Sequence, residues 1–113
     1  MLINSYHFGS IVINGNTYSS DVIIYPDRVD GNWWRKQGHQ LHIEDLKGVF
    51  EERPEVLLVG TGSPGLMRVS PETEDYLEAH GIGLIVEPTD KAWKTYNQIK
   101  NTRNVIAAFH LTC

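Results

Sequence analysis

Apolar positions change their spacing after the first third of this chain, and the change separates a strand-forming part from one that alternates helices with strands. Phe8 to Ile13 is rich in β-formers and ends at Asn14-Gly15, a strong hairpin turn signal. Thr17-Tyr18 and then Val22-Ile23-Ile24-Tyr25 continue as strand. Asp30-Gly31 marks a second turn leading into Trp33-Trp34-Arg35. The pattern predicts an antiparallel meander over residues 1–37.

Beyond it, Ile43, Leu46, Val49 and Phe50 share one face at helical spacing, and Pro54 stops that helix. Val56-Leu57-Leu58-Val59 reads as a buried strand. Ser70-Pro71 is a helix start with serine as N-cap and proline at the first helical position, and Gly81 supplies the stop. In that helix Tyr76 and Leu77 are expected to face inward. Leu84-Ile85-Val86 reads as another buried strand. Thr89 is the expected cap of a third helix lined by Ala92, Trp93, Tyr96 and Ile99, and Val105 to Leu111 forms the last strand. Residues 43–113 therefore run α, β, α, β, α, β. Uniformly apolar strands between amphipathic helices imply a sheet covered on both faces. The expected fold is a three-layer α/β domain with a mixed central sheet, helices on both faces and an N-terminal antiparallel β meander, in one domain spanning 1–113.

Composition adds limits. The chain has 113 residues, enough for one domain, and its 41% hydrophobic content can build a core. A formal charge of −4 argues against a general nucleic-acid binder, which needs clustered Lys and Arg. The sole cysteine, Cys113, forbids an intramolecular disulfide and fits a reducing compartment. Met1 to His7 lacks a basic start followed by a long apolar run, so no secretory signal is expected. No apolar run approaches the roughly 20 residues of a membrane helix. The expectation is a cytoplasmic protein without membrane insertion.

Gly60-Thr61-Gly62-Ser63-Pro64-Gly65 directly follows the Val56–Val59 strand and satisfies G-x-G-x-x-G, the dinucleotide fingerprint. Glu87 ends the next strand about where a ribose-binding acid belongs, roughly 20 residues on. Three features oppose that reading. Leu66 to Val69 separate the loop from the Ser70-Pro71 helix, although the fingerprint needs a helix opening at the loop. Pro64 removes one N–H donor. The chain is too short for a full cofactor domain plus a catalytic one. A smaller role is open to the same loop. If the strands at Val56 and Leu84 are parallel neighbours, Gly60, Thr61, Gly62 and Ser63 share a crevice with Thr89 that suits a carboxylate or phosphate. The bland alternative is a tight turn and an ordinary N-cap, with glycines chosen for geometry.

Several short motifs, in order, carry a family resemblance. They are Phe8-Gly9, Asp21, Arg35, Gly60-Thr61-Gly62, Thr89 with Ala92 and Tyr96-Asn97, and His110-Leu111-Thr112-Cys113. Their joint order resembles the domain family that includes the mitochondrial NADH:ubiquinone oxidoreductase complex assembly factor three and an adipogenesis-associated protein. The resemblance implies a three-layer α/β fold with an N-terminal β extension, an assembly-type role, and no established catalytic residues.

The remaining candidates are weak as chemistry. His110 and Cys113 lie three apart, which on a strand points them to opposite faces, so they make a poor nucleophile–base pair unless the end curls. His39-x-x-His42 has no cysteine pair to support zinc, and no metal site is expected. Of Trp33-Trp34, one ring is expected in the core and the other outward beside Arg35, as a partner-contact surface at Trp34 and Arg35. The acidic Glu72/Glu74/Asp75 group reads as a solvated helix face. No carboxylate pair suits general acid–base work. The reading reached is a non-catalytic protein-interaction or assembly module with a protein partner, no cofactor, and a small anion pocket at the glycine loop. The alternative is a small enzyme or nucleotide-binding protein using the same crevice.

Overall fold

A computed structural model describes residues 1–113. The meander is β1 (Ile3–His7), β2 (Ser10–Ile13) and β3 (Asn16–Tyr18), an antiparallel three-stranded sheet. Asn14 and Gly15 both take positive φ, 49° and 80°. That is the geometry of a two-residue hairpin turn whose twist matches its strands. The meander ends with β3. β4 (Val22–Ile24) and β5 (Val29–Asp30) join the central sheet instead, and Trp33–Arg35 is not a strand.

After the short β6 (Gln40–Leu41), a 3-10 turn over Ile43–Leu46 runs into α1 (Lys47–Glu52). Then follow β7 (Val56–Thr61), β8 (Arg68–Val69), α2 (Pro71–Ala79), β9 (Gly83–Glu87), α3 (Thr89–Ile99) and β10 (Val105–His110). The central sheet has five strands in the order β5-β4-β10-β7-β9. Its β10–β7 and β7–β9 pairs are parallel, and its β4 pairs are antiparallel, so the sheet is mixed as expected.

Alternation along the inner strands builds two cores. Val56, Leu58, Val105, Ala107 and Phe109 pack with Ala92 and Tyr96 of α3 and with Ile3, Ile11 and Ile13 of the meander. Leu57, Val59, Ile106 and Ala108 face the other way, onto Leu46, Val49 and Leu77 beneath α1 and α2. A strand apolar at every position is thus covered on both faces. The meander is fastened to α3 by Asn97, whose amide accepts from Ile3 N at 3.0 Å and donates to Ile3 O at 2.7 Å.

Local punctuation at α2 follows the sequence. Ser70 Oγ accepts from Thr73 N at 3.2 Å, Pro71 opens the helix, and Gly81 takes φ +70° beyond its end. Leu77 is buried, while Tyr76 is only half-buried and stacks on His80 at 4.2 Å. Two expectations are corrected. β9 is not buried but is the sheet's outer strand, with Val86 46% exposed. Thr89 does not cap α3: Pro88 holds that position, and the Thr89 hydroxyl bonds elsewhere.

Candidate functional site

Parallel strands bring their carboxyl ends to one edge, and here β7, β10 and β9 finish side by side at Thr61, His110 and Glu87. Antiparallel pairing brings β4 to the same edge. Phe109 lies opposite Val22, so the next positions in that register are His110 and Asp21. Arg35 folds back from the irregular segment after β5 and completes a buried cluster. Its Nη1 lies 2.6 Å from Asp21 Oδ2, and its side chain is 5% exposed. Arg35 Nη2 donates to Gly38 O at 2.9 Å and lies 3.0 Å from His110 Nδ1.

His110 Nδ1 is also 2.8 Å from Asp21 Oδ2. The carboxylate can only accept, so Nδ1 is the donor in that contact. Asp21 Oδ1 accepts from Leu111 N at 2.8 Å. Burial pushes the Asp21 carboxyl up, but hydrogen bonds from His110, the Leu111 amide and Arg35 outweigh it and hold the group below its ordinary range. Two buried nitrogens, His110 Nε2 and Arg35 Nε, have no partner within the chain.

The glycine loop closes against this cluster. Gly60 lies inside β7, and β8 separates the loop from α2, so no helix opens where a pyrophosphate would sit. Gly62 takes φ +98°, and a Cβ there would overlap the Thr112 carbonyl and come within 2.9 Å of His110 Cδ2. Gly62 N donates to Thr89 Oγ1 at 2.9 Å, and Thr89 Oγ1 donates to His110 O at 2.6 Å. Thr89 N donates to Gly62 O, Ser63 N to Thr112 O and Leu66 N to Cys113 O. Thr61 Oγ1 donates to Glu87 O at 3.2 Å. The loop and Thr89 do meet as neighbours of parallel strands. Their main-chain donors at Gly62, Ser63 and Thr89 are spent within the chain, however. Two clefts lie elsewhere. One of about 960 Å³ between the 3-10 turn, α1 and α2 is floored by Phe50, Tyr76 and Ile82, and one of about 520 Å³ lies beside β9.

Glu87, the sequence's ribose-binding candidate, is half-buried, with Oε2 3.5 Å from Lys91 Nζ. His39 stands edge-on to His110 at 6.2 Å, while His42 faces Gln37, so the two do not converge. Cys113 is exposed and its thiol is not part of the cluster. Trp33 is buried and donates from Nε1 to Asp45 O at 2.9 Å, whereas Trp34 is 76% exposed. Arg35, expected on that outer surface, is instead buried as the cation of the cluster.

The model of a protein family described as protein of unknown function (DUF498/DUF598) matches residues 3–110. The chain belongs to the DUF498/DUF598 family. Among curated proteins it is similar to NADH dehydrogenase [ubiquinone] 1 alpha subcomplex assembly factor 3 of Xenopus tropicalis, with 26% identity over 110 residues. That match covers 96% of this chain and 59% of the relative, so the DUF498/DUF598 chain spans little more than half of the longer protein. Among solved structures, the conserved hypothetical protein PH1505 from Pyrococcus horikoshii OT3 superposes with a TM-score of 0.87 at 30% identity, covering 100% of both chains. A protein described as an outer membrane protein from Bartonella henselae gives a TM-score of 0.84 at 27% identity, covering 98% of this chain and 94% of its own. No helix of this DUF498/DUF598 chain is long and apolar enough to cross a membrane.

Most of the motifs behind the sequence resemblance gather at the strand edge just described, while Ala92 and Tyr96-Asn97 lie in α3 against the core and the meander. Gly9 N donates to Leu111 O at 2.8 Å, and Asp21, Arg35, Gly62 and Thr89 all bond to the segment His110–Cys113 or to its neighbours. Sequence reading named Asp21 without a role. Its pairing with Arg35 and His110 needed the β4–β10 register, which no local pattern encodes.

Proposed function

We propose that this chain is a non-catalytic protein-interaction module of the assembly-factor type, with Trp34 as an anchor of its contact surface. The observation that carries the reading is the setting of Trp34. A 76% exposed indole follows directly on buried Trp33 and precedes buried Arg35. A large ring held out by two fixed neighbours loses little freedom on docking, which is the condition of an interface hot spot. The likeness to an assembly factor supports the same reading. The internally spent donors of the glycine loop weigh against a small anion as the main ligand.

Affinity purification with the wild-type chain and with Trp34→Ala tests it. Loss of a hot-spot tryptophan costs about 2 kcal/mol of binding, roughly a 30-fold drop in affinity. Partners retained by the wild type should therefore disappear with the variant while its melting temperature stays unchanged. An identical partner set would refute the reading. So would a selective rise in melting temperature with one nucleotide, sugar phosphate or carboxylate, combined with no Trp34-dependent partner.

A further inference from the structure

The central sheet has two unlike edges. β5 is two residues long and ends at Asp30, a short and charged edge of the kind that discourages pairing. β9 is five residues long, pairs with β7 in unbroken register from Gly83 to Glu87, and contains no proline, lysine or bulge. Gly83 N donates to Glu55 O on the inner side. By the alternation of a parallel ladder, Leu84 and Val86 then turn their main-chain N–H and C=O groups to the open side. Beside this edge lies the cleft of about 520 Å³, lined by Leu77, Ile82 and Leu84 with Glu74 and Glu78. The exposed acids of α2 are Glu72, Glu74, Asp75 and Glu78, the helix carries no Lys or Arg, and none of these carboxylates forms an ion pair within the chain.

We infer that the open edge of β9 docks an extended segment of a partner protein as a further strand, with lysine or arginine side chains on its α2 face. The backbone of such a segment would satisfy the outward groups of Leu84 and Val86. Its alternate side chains would lie over the cleft, the aliphatic stems on Leu77 and Leu84 and the cationic heads at Glu74 and Glu78. On the opposite face it would meet half-buried Ile85, which favours apolar residues there. A second copy of this chain is the disfavoured occupant. Twofold antiparallel pairing of β9 with itself sets α2 beside α2, bringing Glu74 and Glu78 against their own equivalents.

The inference rests on the reading of this chain as an interaction module, and its test is separate from Trp34-dependent capture. The probes are two capped peptides, one alternating lysine with valine and the other alternating glutamate with valine, titrated into the full nitrogen-15-labelled chain. The lysine peptide should shift the amide signals of Leu84 and Val86 saturably and slow their hydrogen exchange, and the glutamate peptide should not. Glu74→Lys with Glu78→Lys, both at exposed positions, should weaken the lysine peptide by about tenfold and reverse the preference. Binding that leaves Leu84 and Val86 unshifted, equal response to both peptides, no response at millimolar peptide, or indifference to the charge reversal would each overturn it. Protection of Leu84 and Val86 that rises with protein concentration alone would overturn it in favour of a second copy. A Trp34-dependent partner found alongside any of these results leaves the module and removes the β9 site.

Discussion

Asp21→Asn isolates the physics of the buried cluster. The substitution keeps shape and still offers an oxygen to Leu111 N, but it removes the only carboxylate within reach of Arg35. Arg35 is then a cation in a side-chain environment 5% exposed, with Gly38 O as its remaining acceptor. Removing one partner of a buried pair costs about 3–5 kcal/mol. Asp21 keeps 17% side-chain exposure, so water screens part of the field and the lower end, about 3 kcal/mol, is expected. For a domain of this size that corresponds to a fall of roughly 12 °C in melting temperature. Urea unfolding followed by tryptophan fluorescence measures it, because Trp33 lies under the guanidinium at 4.8 Å. Arg35→Met in the Asp21→Asn background supplies the decisive comparison. An apolar chain in that place removes the stranded charge, so the double variant should regain at least about 1 kcal/mol over the single one. The reasoning fails if Asp21→Asn costs under about 1 kcal/mol, or if adding Arg35→Met destabilises further.

Acid sensitivity follows from the same carboxylate. Its folded pKa lies below the unfolded value, so its stabilisation is complete above the ordinary carboxylate pKa, about 4, and is lost as pH falls through the folded value. The stability gap between wild type and Asp21→Asn should therefore narrow on acidification below about pH 4, read from urea midpoints across pH; a constant gap would contradict this. Gly62→Ala meets the Thr112 carbonyl at positive φ and should cost at least about 2 kcal/mol, measured by thermal melting. Thr89→Val leaves Gly62 N without its acceptor in a buried setting and should cost about 2–3 kcal/mol, while Thr89→Ser should retain most of the stability. Ser70→Ala removes the N-cap of α2 and should cost about 1 kcal/mol in chemical denaturation.

Much of the architecture was legible because its signals are local. Asn14-Gly15 announces its own hairpin, Ser70-Pro71 and Gly81 bracket α2, and the run Val56–Val59 reports burial on both faces. Where local reading failed, a distant partner had changed the outcome. Leu84-Ile85-Val86 is as apolar as an inner strand, yet nothing pairs with its outer side. Thr89 has the right residue type to cap α3 but joins Gly62 to His110 instead, since both lie within hydrogen-bond reach in the folded sheet. Arg35 read as surface because a charged residue beside an exposed tryptophan ordinarily is one. The Asp21 carboxylate and the Gly38 carbonyl draw it inward.

The sequence by itself determined the first hairpin and the order of helices and central strands from residue 43, because helix period, strand period and turn chemistry act over a few neighbouring residues, and its short motifs carried the family. Only the tertiary structure decided the cluster at the strand edge and the open flank of β9. Asp21 and His110 stand 89 positions apart and meet because Phe109 registers with Val22 across β4 and β10. A slip of one residue would have turned them to opposite faces of the sheet. That register is set by burying Val22, Ile24, Ala107 and Phe109 together in one core, a property of the packed whole that no short window of the chain contains.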